Sequence, residues 1–98
     1  MTVRWTETAL AELVAIDDYL ARRSARYARA FLTRVFERTE LLAAHPQFGA
    51  VVPEFDDDRL REVAEFPYRI IYRILDAHID VVAVVHVGRR LPSSVGRR

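Results

Sequence analysis

The side chains best suited to chemistry in this chain are arginines and a few histidines. All 15 basic residues are arginine, and the guanidinium group favours planar, two-point contacts with carboxylate or phosphate over a single point charge. An unperturbed imidazole titrates near pH 6.5 and could serve as a base. The net charge of +1 is too small to predict general affinity for nucleic acid. The arginines cluster at Arg22-Arg23-Arg26-Arg29, at Arg89-Arg90 and at Arg97-Arg98.

Composition excludes several classes of chemistry. The chain has no cysteine, so it has no disulfide framework, no thiolate metal site and no thiol nucleophile. The histidines at positions 45, 78 and 86 lack close metal-ligand spacing, and no cofactor is expected. The longest aliphatic run, Val81 to Val85, is far shorter than the roughly 20 residues of a membrane helix. Since the N-terminus also lacks a signal-peptide pattern, we expect a cytoplasmic protein with no membrane partner.

Two strand-like runs organise the C-terminal half. Tyr68 to Leu75 and Ile79 to Val87 are rich in β-branched and aromatic residues and flank a short polar segment, the pattern of a β-hairpin. In the first run the even positions are apolar, and in the second the odd positions are apolar. Burying both apolar sets on one face predicts Ile70 opposite Val85, Tyr72 opposite Ala83, and Arg69 opposite His86 on the open face.

The remaining elements follow from periodicity and caps. Apolar residues at three- and four-residue steps predict a helix from the Thr6 cap to near Arg22. A second helix is predicted from the Ser24 cap to His45, where Pro46 disfavours helical geometry. Both should pack as an antiparallel hairpin on the inner face of the sheet. Residues 2–5 and 59–66 are strand-like, 45–58 form the main loop, and 91–98 should be ordered only when bound. We therefore predict an α+β fold with one domain over residues 1–92 and a tail over 93–98.

One ordered set of short segments comprises His45-Pro46 with Gly49, Pro53, Leu60-Arg61-Glu62, Tyr68 to Ile74, and Ile79 to Arg90. Together these segments resemble a known family, the ParE branch of the RelE/ParE toxins, and the likeness spans Val3 to about Pro92. The resemblance implies a β-α-α-β-β-β fold in which a strand and a helical hairpin precede a three-stranded antiparallel sheet. It also implies the toxin of a type II toxin-antitoxin pair, held in a hetero-oligomer by a ParD-like, ribbon-helix-helix antitoxin.

The two branches of this family differ in mechanism. RelE-like members cut messenger RNA in the ribosome, and Arg69 and Arg90 match two positions where that branch carries catalytic arginines. This chain has Leu60 and Glu62 where that branch has lysines, and Gly96 where it has a tyrosine. ParE-like members, which the chain resembles more closely, inhibit DNA gyrase by protein binding. We expect gyrase inhibition, with an mRNA endonuclease or an inert antitoxin-binding member as the alternatives.

The candidate site residues fall into three sets. Each functional interpretation of an arginine has a structural alternative. Arg69 could simply pair with Glu62, and the arginines at 22–29 could be a solvated helix junction. The target-binding candidates are Arg61, Arg69, His86, Arg89 and Arg90. The catalytic candidates, if the chain is a ribonuclease, are Arg69, His86 and Arg90. The antitoxin-binding candidates, which lie beside the predicted helix stripes, are Ala15, Tyr19, Tyr27 and Leu41.

Overall fold

A five-stranded sheet carries two helices on one face and an irregular segment on the other. The computed structural model describes residues 1–97. The strand order is β1-β5-β4-β3-β2, with β1 parallel to β5 and the other neighbours antiparallel. The predicted α+β class is confirmed. The elements are β1 (Thr2–Trp5), α1 (Glu7–Ala21), α2 (Ala25–Ala44), β2 (Ala50–Val51), β3 (Leu60–Glu65), β4 (Tyr68–Ile74), β5 (His78–His86) and a 3-10 helix (Ser93–Gly96).

The helical hairpin forms as its caps and periodicity predict. The hydroxyl of Thr6 accepts a hydrogen bond from the Ala9 amide at 3.1 Å, and that of Ser24 accepts one from the Tyr27 amide at 3.1 Å. Both helices bury their apolar stripes against the same face of the sheet. This inner core includes Leu13, Phe31, Val35, Leu42, Ile70, Tyr72 and Val81.

The predicted register of the β4–β5 hairpin is wrong. Near the turn Tyr72 pairs with Val81 instead of the predicted Ala83, and the register then shifts between Ile71 and Tyr72 because β5 contains a bulge at Val82. Beyond the bulge Arg69 pairs with Val85 rather than His86. Paired residues share a face, so Arg69 and His86 lie on opposite faces of the sheet. The observed pairs beyond the bulge are Tyr68–His86, Arg69–Val85, Ile70–Val84 and Ile71–Ala83, in place of Arg69–His86, Ile70–Val85 and Tyr72–Ala83.

The outer face of the sheet is covered, which also differs from expectation. The segment predicted to be an unbound tail crosses this face, and the 3-10 helix Ser93–Gly96 places Val95 against it. Gly96 packs on Phe55, where an added Cβ would lie 2.5 Å from the ring. Beneath it Arg73 is buried and donates to Asp57 at 3.0 Å. The residues of this second core are Val52, Leu60, Ile71, Ala83, Val85, Leu91 and Val95.

The loop between α2 and β3 contains the short strand β2, which the sequence pattern did not predict. Tyr72 holds this loop: its hydroxyl donates to the Pro46 carbonyl at 2.6 Å and accepts from the Gly49 amide at 2.9 Å. A side chain at Gly49 would approach the Glu62 carbonyl to 2.5 Å, so only glycine allows this close contact. Over residues 1–97, no helix has the length and apolar character needed to cross a membrane.

Candidate interaction surface

Arg69 lies on the outer face and is already bound by two carboxylates. Its Nη1 and Nη2 donate to the two carboxylate oxygens of Glu54 at 2.7 and 2.8 Å, and its Nε donates to Glu62. The side chain is only 13% exposed. The hydrogen bonds to Glu54 and Glu62 hold the pKa of Arg69 above its usual range, and the same contact lowers the pKa of Glu54. One guanidinium between two carboxylates leaves a local charge of about −1, which disfavours a phosphate ligand.

Arg61 is also occupied by contacts within the chain. Its Nε donates to the Asp58 carbonyl at 2.9 Å and its Nη1 to the Gly49 carbonyl at 2.9 Å. These bonds tie β3 to the loop that carries β2. Two of the five target-binding candidates therefore have structural partners, of which sequence reasoning identified only Glu62, for Arg69.

His86, Arg89 and Arg90 lie together and exposed where β5 ends. The Nδ1 of His86 accepts from the Gly88 amide at 3.1 Å, and the His86 carbonyl accepts from the Arg89 amide at 3.0 Å. The imidazole ring meets the ring of Tyr68 edge to face, with 5.7 Å between centroids. No carboxylate of residues 1–97 forms an ion pair with Arg89 or Arg90.

Tyr68 connects this group to the turn between the two helices. Burial, together with the nearby phenol groups of Tyr19 and Tyr27, raises the pKa of Tyr68. The rings of Tyr19 and Tyr27 are about half exposed, at 49% and 47%. The guanidinium of Arg23 lies 5.0 Å from the centroid of the Tyr19 ring. Two antitoxin-binding candidates are therefore neighbours of the target-binding candidate His86.

We call this surface the basic end. No pattern in the sequence indicated that the tyrosines of the helices and His86 belong to one surface. They are connected through Tyr68, which was predicted only to be a core aromatic. The basic end comprises Tyr19, Arg22, Arg23, Arg26, Tyr27, Arg29, His86, Arg89 and Arg90.

The other two antitoxin-binding candidates lie apart from the basic end. Ala15 is exposed on α1. Leu41 is 47% exposed in the last turns of α2, about 20 Å along the helix axis from Tyr27. The four residues thus do not form one patch, although a long partner segment could contact all of them.

Comparison with known proteins identifies the family of this chain. Residues 3–91 match the family described as ParE toxin of type II toxin-antitoxin system, parDE. The protein called Toxin RelE2 from Caulobacter vibrioides is 33% identical over 88 residues, which cover 89% of this chain and 96% of that protein. The solved structure titled Chromosomal ParDE TA system from P. aeruginosa superposes with a TM-score of 0.70 at 22% identity, covering 88% of this chain and 95% of that chain. The fold is thus that of a small toxin of a type II system. This chain belongs to the ParE toxin family, as the resemblance predicted.

Proposed function

We propose that this toxin acts in the cytoplasm by binding DNA gyrase, and that a ParD-like antitoxin neutralises it. The observation that carries the proposal is the separation of Arg69 from His86. Arg69 is bound by Glu54 and Glu62 on the outer face, whereas His86 lies on the helix face against Tyr68. The available cations and exposed rings therefore favour a surface that binds a partner.

The same geometry argues against the endonuclease alternative. Metal-independent RNA cleavage needs a base for the 2′-hydroxyl, an acid for the leaving oxygen and cations on one phosphate. Arg69 and His86 face opposite sides of the sheet, so they cannot contact the same phosphate. At position 96, where RelE-like members have a tyrosine, this chain has a glycine packed on Phe55. Arg69, His86 and Gly96 are therefore not arranged around one reacting phosphate, which supports protein binding over catalysis.

The antitoxin proposal rests on family membership and on exposed aromatic surface. The P. aeruginosa structure is titled as a ParDE system, which supports an antitoxin partner for this chain. Tyr19 and Tyr27 expose large rings near Tyr68, which in turn contacts His86. An antitoxin that covers the tyrosines would also block the arginines. We expect both rings to lose solvent exposure in the complex, and unchanged exposure would contradict this role.

Gyrase supercoiling and ribosome-programmed mRNA cleavage, measured in parallel, test the target. We expect the toxin to inhibit supercoiling without cleaving mRNA, and Arg89→Ala with Arg90→Ala to weaken inhibition by about tenfold, equivalent to about 1.4 kcal/mol of target binding. The charge-matched control is Arg4→Ala with Arg59→Ala, at the opposite end of the β4–β5 hairpin, where both arginines are ion-paired. The control should inhibit like the wild type.

Two results would overturn the proposal. Cleavage of mRNA that disappears in Arg69→Ala or Arg90→Ala would establish the endonuclease. Antitoxin binding with neither activity would establish an inert member.

A further inference from the structure

We propose that the basic end is a duplex-DNA-binding surface that grips the phosphate backbone. This goes beyond the proposed function, because it requires neither gyrase nor an antitoxin. The ligand class is a regular polyanion, which suits the unpaired charges, the helix dipole and the aromatic contacts of this end.

Ion pairing divides the arginines of this chain into two populations. At the basic end, no arginine forms an ion pair with any carboxylate of residues 1–97, and all are exposed. A net charge of +1 therefore hides a strong local excess of positive charge. The unpaired arginines of the basic end are Arg22, Arg23, Arg26, Arg29, Arg89 and Arg90. The arginines in salt bridges are Arg4, Arg34, Arg38, Arg59, Arg69 and Arg73.

Few acidic groups offset this excess. Asp17 and Asp18 lie on α1 one turn before the cluster. Glu65 ends β3 opposite Tyr68, but it is already bound by two arginines of α2. The turn between the helices and the residues after β5 contain no acid. A ligand at this end therefore meets net positive charge.

The start of α2 has charges of the unfavourable sign. The N-terminus of a helix carries about half a positive charge and ordinarily favours acidic residues. Here the first turn contains no acidic residue, and Arg26 and Arg29 lie within the first two turns. The free protein must therefore tolerate repulsion between these guanidinium groups and the helix dipole. A bound polyanion would relieve it.

The aromatic link unites two cation clusters that are far apart in sequence. Arg23 lies over Tyr19, both helix tyrosines lie near Tyr68, and Tyr68 contacts His86, whose carbonyl binds the Arg89 amide. Exposed phenol groups can donate hydrogen bonds to phosphate oxygens, as tyrosines often do on DNA.

Duplex DNA suits this surface better than an acidic protein segment. DNA presents one negative charge for about every 1.7 Å of its axis, so it can engage several guanidiniums at once in two-point contacts. A protein partner would instead be expected to bury Phe66, which is 77% exposed on the β3–β4 turn at the same end. Phe66→Ala therefore distinguishes a DNA ligand from a protein ligand, because it removes the exposed ring without changing the charge.

Fluorescence anisotropy with a labelled duplex of about 30 base pairs, long enough for several phosphate contacts, tests the proposal on the isolated chain. We expect affinity to fall with salt with a logarithmic slope of about −4, corresponding to about four phosphate contacts. Arg26→Gln with Arg29→Gln should weaken binding about tenfold and make the slope shallower by about 2. Arg4→Gln with Arg59→Gln removes the same charge at the other end and should change affinity less than about twofold. Phe66→Ala should bind DNA like the wild type.

Several results would overturn the proposal. One is the absence of salt-dependent binding by the wild type. Another is an equal loss of DNA affinity in Arg26→Gln with Arg29→Gln and in Arg4→Gln with Arg59→Gln. That result would mean that net charge alone determines the affinity. Equal binding of poly-glutamate or of anionic lipid vesicles would show that the basic end binds any polyanion rather than duplex DNA. Gyrase inhibition that persists without DNA binding would overturn this inference while leaving the proposed function intact.

Discussion

At the scale of single residues, Glu65 shows how a buried carboxylate can stay ionised and join two elements. It is 7% exposed and accepts hydrogen bonds from the Nε atoms of Arg34 and Arg38, each at 2.8 Å. Burial opposes ionisation, but the bonds from Arg38 and Arg34 outweigh it, so the pKa of Glu65 lies below its ordinary value of 4.5. The three charges tie β3 to α2.

This depressed pKa makes stability depend on pH in a defined direction. The folded state binds fewer protons at Glu65 than the unfolded state, so the stabilisation is complete above the unfolded pKa and is lost as pH falls through the folded pKa. Glu65→Gln should lower the free energy of unfolding by about 1–2 kcal/mol near pH 7, since both arginines are partly exposed. The difference from wild type should shrink toward about pH 3 in urea denaturation. Glu40→Gln, an exposed control on α2, should show little effect at either pH, and a pH-independent difference at Glu65 would contradict the assignment.

At the scale of elements, a side chain from α1 completes the hydrogen bonding of β5. The carboxylate of Glu12 accepts a hydrogen bond from the Val84 amide at 3.0 Å. β1 pairs with β5 only as far as Val81, so beyond that point the edge of β5 needs other partners. Glu12 therefore takes the place of a neighbouring strand just past the bulge at Val82.

Removing this acceptor should destabilise this edge of β5. Glu12→Ala should lower the free energy of unfolding by about 1–3 kcal/mol, because it leaves the partly buried Val84 amide without a partner. Glu12→Gln keeps an acceptor oxygen and should recover most of the loss. Urea denaturation measures the cost, and amide exchange at Val84 locates it. Slow exchange at Val84 in the alanine variant would show that the amide does not depend on Glu12.

The limits of prediction at this scale have a physical cause. Helix ends were predictable because Thr6 and Ser24 act locally on the next turn. The register of β4 and β5 was not predictable, because residue parity assumes a regular ladder and no local signal in the sequence marks the bulge at Val82. β2 has only two residues and is fixed by the contact of Gly49 with Tyr72, so it has no periodicity to detect.

At the scale of the whole molecule, the sheet has a core on each face. Sequence analysis predicted only the inner core, since the residues that close the outer one follow the last strand and show no apolar periodicity. This closure limits where partners can bind. Of the predicted site, His86, Arg89 and Arg90 remain accessible together, whereas Arg69 takes part in the ion pairs of the covered face.

The outer core should therefore depend on the segment after β5. Val95 is 8% exposed and packs in that core, whereas its neighbour Ser94 is exposed. Val95→Ala removes buried methyl groups and should lower the free energy of unfolding by about 1–3 kcal/mol, while Ser94→Ala should change it by less than about 0.5 kcal/mol. Urea denaturation of both variants makes the comparison. Equal stability of the two would mean that this segment does not close the outer face in solution, and the case for confining partners to the ends and edges of the sheet would fail with it.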